Sequence, residues 1–143
     1  MRPSFRVLLA PDSFKGSLSA MQFCDIAKQV IQHSIPDSEV FSYPMSDGGE
    51  GFADSFIYAG SAEKQSVWVA NALGRKTKAL FAWQSETKTA IIEMAQASGL
   101  PKIRPEERNP MQTHTYGTGQ LIQAALDLGA EKIVLGLGGS ATN

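Results

Sequence analysis

The 143-residue sequence contains one cysteine, no long apolar run and no cluster of basic residues. The single thiol, Cys24, cannot form an internal disulfide, which predicts a protein of the reducing cytoplasm. Without 18 consecutive apolar residues, the sequence predicts no membrane span. The net charge of -1 argues against a nucleic-acid or anionic membrane partner, because both are bound through clustered basic charge. Two histidines and one cysteine, far apart, give no zinc pattern.

Apolar periodicity predicts alternating strands and helices in the first part of the chain. Residues 5–10 (FRVLLA) form a short apolar run, typical of a strand buried on both faces of a parallel sheet. Ser19 and Gln22 have the spacing of a capping box, and the apolar residues behind them repeat as in an amphipathic helix. A second strand at 40–43 and a second helix at 52–59, ending at Gly60, follow.

The middle of the chain has a different pattern. Residues 65–70, 78–83 and 89–94 are typical of strands, with no helix between the first two. A proline-containing connector at 101–110 leads to a helix from about Tyr116, with Gly129 as its C-cap, and to a buried strand at 132–137.

These elements predict an α/β fold: a Rossmann-like parallel sheet with helices on both faces, plus a small antiparallel β insert or second subdomain. We predict that residues 1–60 begin the α/β domain, that 61–110 form the insert, and that 111–143 form a further αβ unit. The last strand and its glycine-rich turn should open into a helix. We therefore expect the chain to be incomplete at its C-terminus, which leaves a non-catalytic fragment as one alternative.

Three predicted strands are followed by loops rich in glycine, serine and aspartate: residues 11–17 (PDSFKGS), 44–51 (PMSDGGEG) and 136–143 (GLGGSATN). In open α/β sheets, ligands bind outside the carboxyl ends of the strands, so the loops predict one shared site. The segment at 114–120 (HTYGTGQ) is a candidate fourth edge. Glycine-rich turns before helices suit phosphate, because unhindered N–H groups and the helix N-terminus attract anions. Taken singly, each loop is also compatible with an ordinary connection.

Four charged residues in these loops are candidates for chemistry. Asp12 and Asp47 are either turn and cap residues or the general base and magnesium ligand of a phosphoryl transfer. Glu50 either binds magnesium through water or caps the next helix. Lys15 either neutralises a substrate carboxylate or phosphate, or lies on the surface. Glu93 interrupts the apolar segment IIEMA, and we expect it to face solvent on an alternating strand; the alternative is that it points into a cleft.

A dinucleotide site is the weaker alternative for the last loop. Gly136, Gly138 and Ala141 fit the loose pattern GxGxxA after a strand, which is typical of nicotinamide-dependent dehydrogenases. The acidic residue that such a site requires would lie beyond residue 143. The sequence also contains no GxxxxGK[ST] phosphate loop.

Taken together, six motifs resemble those of the type-1 glycerate kinases in order and spacing. They are APDSFKGSLSA (10–20), PMSDGGEG (44–51), IEMAQASGL (92–100), RNP (108–110), TYGTGQLI (115–122) and GLGGSATN (136–143). The second motif has Ser46 where family members often have alanine. The resemblance covers essentially the whole chain, although members of this family are more than twice as long.

The resemblance implies ATP-dependent phosphorylation of D-glycerate with Mg2+ in a two-domain α/β enzyme with a cleft between its domains. The product is commonly 2-phosphoglycerate, although 3-phosphoglycerate has also been assigned. The resemblance gives no oligomeric state. By motif position, Asp47, Asp12 and Lys15 are the candidate catalytic residues, and Asp47 and Glu50 the candidate metal ligands. The candidate substrate and phosphate contacts are Ser13, Gly48, Gly49, Glu50, Thr115, Gly117, Thr118, Gly138, Gly139, Ser140 and Asn143.

Overall fold

A computed structural model describes residues 5–142 of the chain, and its elements follow the predicted alternation of strands and helices. The chain divides between Ser46 and Asp47 into two units. The predicted division after residues 60 and 110 stays a prediction. In chain order the elements are β1 (Phe5–Leu9), α1 (Ala20–Ser34), β2 (Ser38–Ser42), α2 (Phe52–Tyr58), β3 (Glu63–Ala70), β4 (Lys76–Gln84), β5 (Thr89–Glu93), α3 (Met94–Ser98), α4 (Tyr116–Asp127) and β6 (Lys132–Gly136).

In the first unit, β1 and β2 form a parallel pair joined by α1. The helix begins with the predicted capping box. The hydroxyl of Ser19 accepts the Gln22 N–H at 3.1 Å, and the Gln22 side chain accepts the Ser19 N–H at 2.9 Å. These bonds satisfy two of the N–H groups that a helix start leaves without partners.

In the second unit, four strands form one sheet in the order β3-β4-β5-β6. The first two neighbouring pairs are antiparallel, and β5 pairs with β6 in parallel. The segment predicted as a β insert is therefore continuous with the parallel strands. This confirms a mixed α/β fold that has parallel strands, antiparallel strands and helices.

Helices cover both faces of the second sheet. On one face, Ile91 of β5 packs with Ala53 of α2. On the other, Ile92 packs with Leu121 and Ala125 of α4. Because side chains alternate across a strand, covering both faces buries the whole strand. All five residues of β5 are buried, including the polar Thr89 and Glu93 at its two ends.

Strands β1 and β6 are less buried than their apolar sequences predict, so the expectation that both are buried strands was wrong. Phe5 and Leu8 of β1 are 58% and 64% exposed, and Val134 of β6 is 38% exposed. The described part of the first unit has one helix to cover its strand pair. Strand β6 lies at an edge of its sheet. No helix within residues 5–142 combines the length and apolar character needed to cross a bilayer.

Candidate functional site

Two loops of the second unit meet where β5 and β6 end. The first, here called the carboxylate loop, is residues 47–51 and precedes α2. The second, here called the glycine loop, is residues 137–142 and follows β6. The Gly138 N–H donates to the Gly48 carbonyl at 3.0 Å. Beneath them, Glu93 at the end of β5 is in register with Gly136 at the end of β6. This places two of the three predicted loops together at the carboxyl ends of parallel strands.

The glycines at this junction allow the two backbones to approach closely. A Cβ on Gly136 would lie 2.5 Å from the Gly48 carbonyl oxygen and 2.8 Å from the Phe52 ring. A Cβ on Gly138 would lie 2.6 Å from the Gly49 Cα. Any larger residue would therefore force the loops apart. The sequence assigned Gly138 to phosphate and Gly136 to the weaker dinucleotide pattern. The geometry gives both a packing function, and the phosphate contact of Gly138 stays a prediction.

The carboxylate loop exposes two acidic side chains, Asp47 and Glu50. The Asp47 Oδ1 accepts the Gly49 N–H at 3.0 Å, which is the turn chemistry typical of aspartate. Gly48 and Gly51 have φ of 96° and 85°, a region that favours glycine. The loop sequence thus encodes its own turn and presents both carboxylates to solvent.

Glu93 is buried beneath this loop, and the expectation that it faces solvent was wrong. It is 1% exposed, and its Oε2 accepts the Gly51 N–H at 3.1 Å. Burial raises the pKa of Glu93 to about 7. Backbone N–H groups of Ala53, Gly51 and Phe52 act in the opposite direction, and Asp54 raises the pKa further. The alternation argument failed because both faces of β5 are covered. A charged residue at the end of a continuous apolar run was the available signal.

The glycine loop is also fixed to the segment after α3. The Ala141 N–H donates to the Ser98 carbonyl at 2.9 Å, and the Leu100 N–H donates to the Gly139 carbonyl at 2.9 Å. The Ser140 hydroxyl donates to the Thr142 carbonyl at 2.9 Å and accepts the Thr142 N–H. Its part in phosphate binding stays a prediction. Asn143 lies outside the described residues.

At the start of α4, two predicted contact residues lie in the protein interior. Thr118 is buried, and its hydroxyl is 2.9 Å from that of Ser98. A Cβ on Gly117 would lie only 1.7 Å from the Ala70 carbonyl oxygen, so this glycine allows α4 to pack against β3. Thr115 is exposed, and its side chain makes no capping hydrogen bond.

Asp12, Ser13 and Lys15 lie in the first unit, in the exposed loop after β1. The Ser13 N–H donates to Asp12 Oδ1 at 2.6 Å, and Gly16 has a φ of 73°. The Phe14 and Leu18 backbones close the loop through an N–H to carbonyl bond of 2.8 Å. The approach of these residues to the carboxylate loop stays a prediction.

The carboxylates and amides of the two loops fit Mg2+ and bound phosphate groups only in part. Within residues 5–142, no group of three or more His, Cys, Asp or Glu side chains could hold a metal. Asp47 and Glu50 offer carboxylates on one loop, and Mg2+ typically takes only one or two protein carboxylates beside phosphate oxygens. The amides of Gly49, Gly51 and Gly138 already donate within the chain, so phosphate contacts through them stay predictions.

Together, the fold and the junction define an α/β protein with a candidate site built from glycine-rich and acidic loops at the carboxyl ends of its strands. Comparison with known families identifies the family to which such a protein belongs. The sequence model of the Glycerate kinase family matches residues 7–143, and the chain therefore belongs to that family.

Individual relatives agree with this assignment. The chain is 46% identical over 138 residues to a glycerate kinase of Haemophilus influenzae and 42% identical over 138 residues to a glycerate 2-kinase of Escherichia coli. Each match covers 96% of this chain and 36% of the relative. A crystal structure described as glycerate kinase 2 from Salmonella typhimurium LT2 matches with a TM-score of 0.77 and 40% identity, over 97% of this chain and 37% of that one. The chain thus spans about a third of the length of these relatives.

Proposed function

We propose that this chain supplies part of the active site for ATP-dependent phosphorylation of D-glycerate in the cytoplasm. The observation that supports this most is the family match over residues 7–143, which includes both loops of the junction. The Escherichia coli relative is named as a glycerate 2-kinase, which favours 2-phosphoglycerate as the product.

In this proposal, the γ-phosphoryl group passes in line from ATP to a glycerate hydroxyl, without a covalent enzyme intermediate. Such transfers depend on positioning and charge neutralisation. Asp47 is the first candidate for the group that accepts the hydroxyl proton or binds metal, and Asp12 is the second. The bond from the Gly49 N–H to Asp47 Oδ1 fixes the carboxylate that would act. Lys15 would neutralise the glycerate carboxylate or a phosphate.

Asp47 and Glu50 are the residues of this chain that would hold Mg2+. When bound with ATP, this ion neutralises charge on the phosphate oxygens. The packing of Gly138 against Gly49 would keep the two loops at a fixed spacing around the phosphates.

The test is an ADP-release assay with D-glycerate, ATP and Mg2+. It would use the 143-residue chain and a chimera in which the chain replaces the matching segment of the Haemophilus influenzae enzyme. An active chimera supports the proposal, and phosphorus NMR of its product distinguishes 2- from 3-phosphoglycerate. A folded chimera without activity contradicts it. NADH binding by the chain would instead favour the dehydrogenase alternative.

Asp47→Asn in the active form should lower kcat by about 100-fold or more, because a positioned base contributes at least that factor. Glu86→Gln is the matched control, since Glu86 is an exposed residue of the turn after β4 and should leave kcat unchanged. A loss below about threefold for Asp47→Asn would exclude Asp47 as the base.

A further inference from the structure

The carboxylate loop is tied to the sheet at two points. Its Gly48 carbonyl accepts the Gly138 N–H at 3.0 Å, and its Gly51 N–H donates to Glu93 Oε2 at 3.1 Å. Glu50 lies between these two attachments, and Asp47 directly precedes the first. Whatever fixes the two points therefore fixes the backbone that carries both exposed carboxylates.

Glu93 supplies a cap that α2 lacks. Gly51 occupies the N-cap position and has no side chain, so α2 has no side-chain cap of its own. The Gly51 N–H instead donates to Glu93 Oε2 at 3.1 Å. The next N–H, that of Phe52, donates to the Gly49 carbonyl at 3.2 Å, and the N–H groups of Phe52 and Ala53 lie close enough to lower the pKa of Glu93. A strand residue 42 positions away thus anchors the N-cap residue of a helix whose start normally carries a local side-chain cap.

Holding a carboxylate at this position is costly, because burial disfavours the charged form. Glu93 takes part in none of the ion pairs found within residues 5–142. Two other charged groups act on this region, Asp54 of α2 and Lys102 after α3. An apolar residue at the end of β5 would avoid this cost but could not accept the N–H groups of the loop.

We propose, building on the phosphoryl-transfer function above, that Glu93 is a positioning residue. From the rigid end of β5, its carboxylate holds the carboxylate loop against the ends of β5 and β6 and so fixes Asp47 and Glu50 for catalysis. Glu93 touches neither substrate nor phosphate in this role and acts only through the backbone of residues 51–53.

The first test needs no activity. Amide hydrogen exchange of Gly49 and Gly51 would be measured by NMR in the 143-residue chain, in Glu93→Ala, in Glu93→Gln and in the control Glu86→Gln. Loss of the acceptor should speed Gly51 exchange about tenfold or more in Glu93→Ala. Glutamine retains an oxygen acceptor and should restore part of the protection, while Glu86→Gln should stay within about twofold of the parent.

Unchanged Gly51 exchange in folded Glu93→Ala overturns the proposal. If Glu93→Ala does not fold, Glu93→Gln decides. Its Gly51 amide must then shift and exchange faster than in Glu86→Gln, and identical behaviour of the two variants overturns the proposal.

The second test is catalytic and uses the active chimera. Per folded molecule, Glu93→Gln should lower kcat about tenfold or more while KM for both substrates changes less than about threefold, because misplacement of a reacting group costs rate more than binding. Faster exchange with unchanged kcat would overturn the catalytic part of the proposal. An inactive parent chimera would contradict the proposed function instead and would leave the amide result standing.

Discussion

Replacing Glu93 by glutamine should stabilise the second unit at neutral and alkaline pH but hardly at acidic pH. Glutamine resembles the protonated carboxyl group in size and charge, so the variant lacks the cost of ionising a buried group. The pKa of Glu93 is raised from 4.5 to about 7 in the folded chain. Between these two values the folded chain keeps a proton that the unfolded chain releases, and stability therefore falls as pH rises.

The size of the effect follows from the pKa difference. A difference of one pH unit in pKa between the folded and unfolded chain corresponds to about 1.36 kcal/mol. The full cost of ionising Glu93 in the folded chain is therefore about 3 kcal/mol and is reached near pH 7. At pH 5, the cost should be below about 1 kcal/mol. The hydrogen bonds from the backbone N–H groups are already included, because they act on the same pKa.

Urea unfolding at pH 5 and pH 8, followed by tryptophan fluorescence, measures this difference. Trp68 and Trp83 are the two tryptophans of the chain, and both lie in the second unit, so the signal reports the unfolding of that unit. The control Glu86→Gln should change the free energy of unfolding by less than about 0.5 kcal/mol at both pH values. Equal stabilisation by Glu93→Gln at both pH values, or a loss of stability at pH 8, would refute this account.

The other predictions concern packing and capping. Gly117→Ala should destabilise the chain by about 3 kcal/mol or more in thermal unfolding, because its Cβ would overlap a backbone carbonyl of β3. The control is Gly119→Ala in the same helix. Its Cβ meets no atom within 4 Å, so this variant should be neutral or stabilising. Ser98→Ala and Thr118→Val should each cost about 1–3 kcal/mol by leaving a buried hydroxyl unpaired, and a double-mutant cycle that gives strictly additive losses would contradict their coupling. Ser19→Ala should cost about 1 kcal/mol through loss of the capping box, and an unchanged thermal transition by far-UV circular dichroism would show that the cap contributes nothing.

Features governed by neighbouring residues were predictable from the sequence. The capping box of α1 depends on Ser19 and Gln22 alone, and the structure has both of its bonds. Gly129, predicted as the helix stop, follows the C-cap residue Leu128 of α4 and has the positive φ that the position after a C-cap favours. The short helix α3 was not predicted, because its five residues are too few to show an apolar period.

Features governed by distant packing were not predictable. Glu93 lies on a strand that is covered by α2 and α4, and the local signal, a charged residue at the end of an apolar run, does not show which elements bury its two faces. The glycines at and after the end of β6 resemble a phosphate loop in sequence, and the close approach of Gly48 and Gly49 also gives Gly136 and Gly138 a packing reason to lack side chains. The same sequence pattern fits both functions, and the packing function depends on the position of the carboxylate loop, which the sequence does not show.

The contact between Gly48 and Gly138 has a consequence for the order of folding. These residues are separated by more than half of the chain, and closing so long a loop costs entropy that local hairpins do not pay. The β3–β4 hairpin can form from adjacent residues, but the carboxylate loop has no glycine loop to pack on until β6 joins β5. We therefore expect the Gly138 amide, which donates to the Gly48 carbonyl, to gain protection later than the hairpin amides during refolding, as pulse-labelled hydrogen exchange would show. During synthesis, the same topology would leave the acidic residues of the proposed site on an unfixed segment until almost all of this chain has left the ribosome.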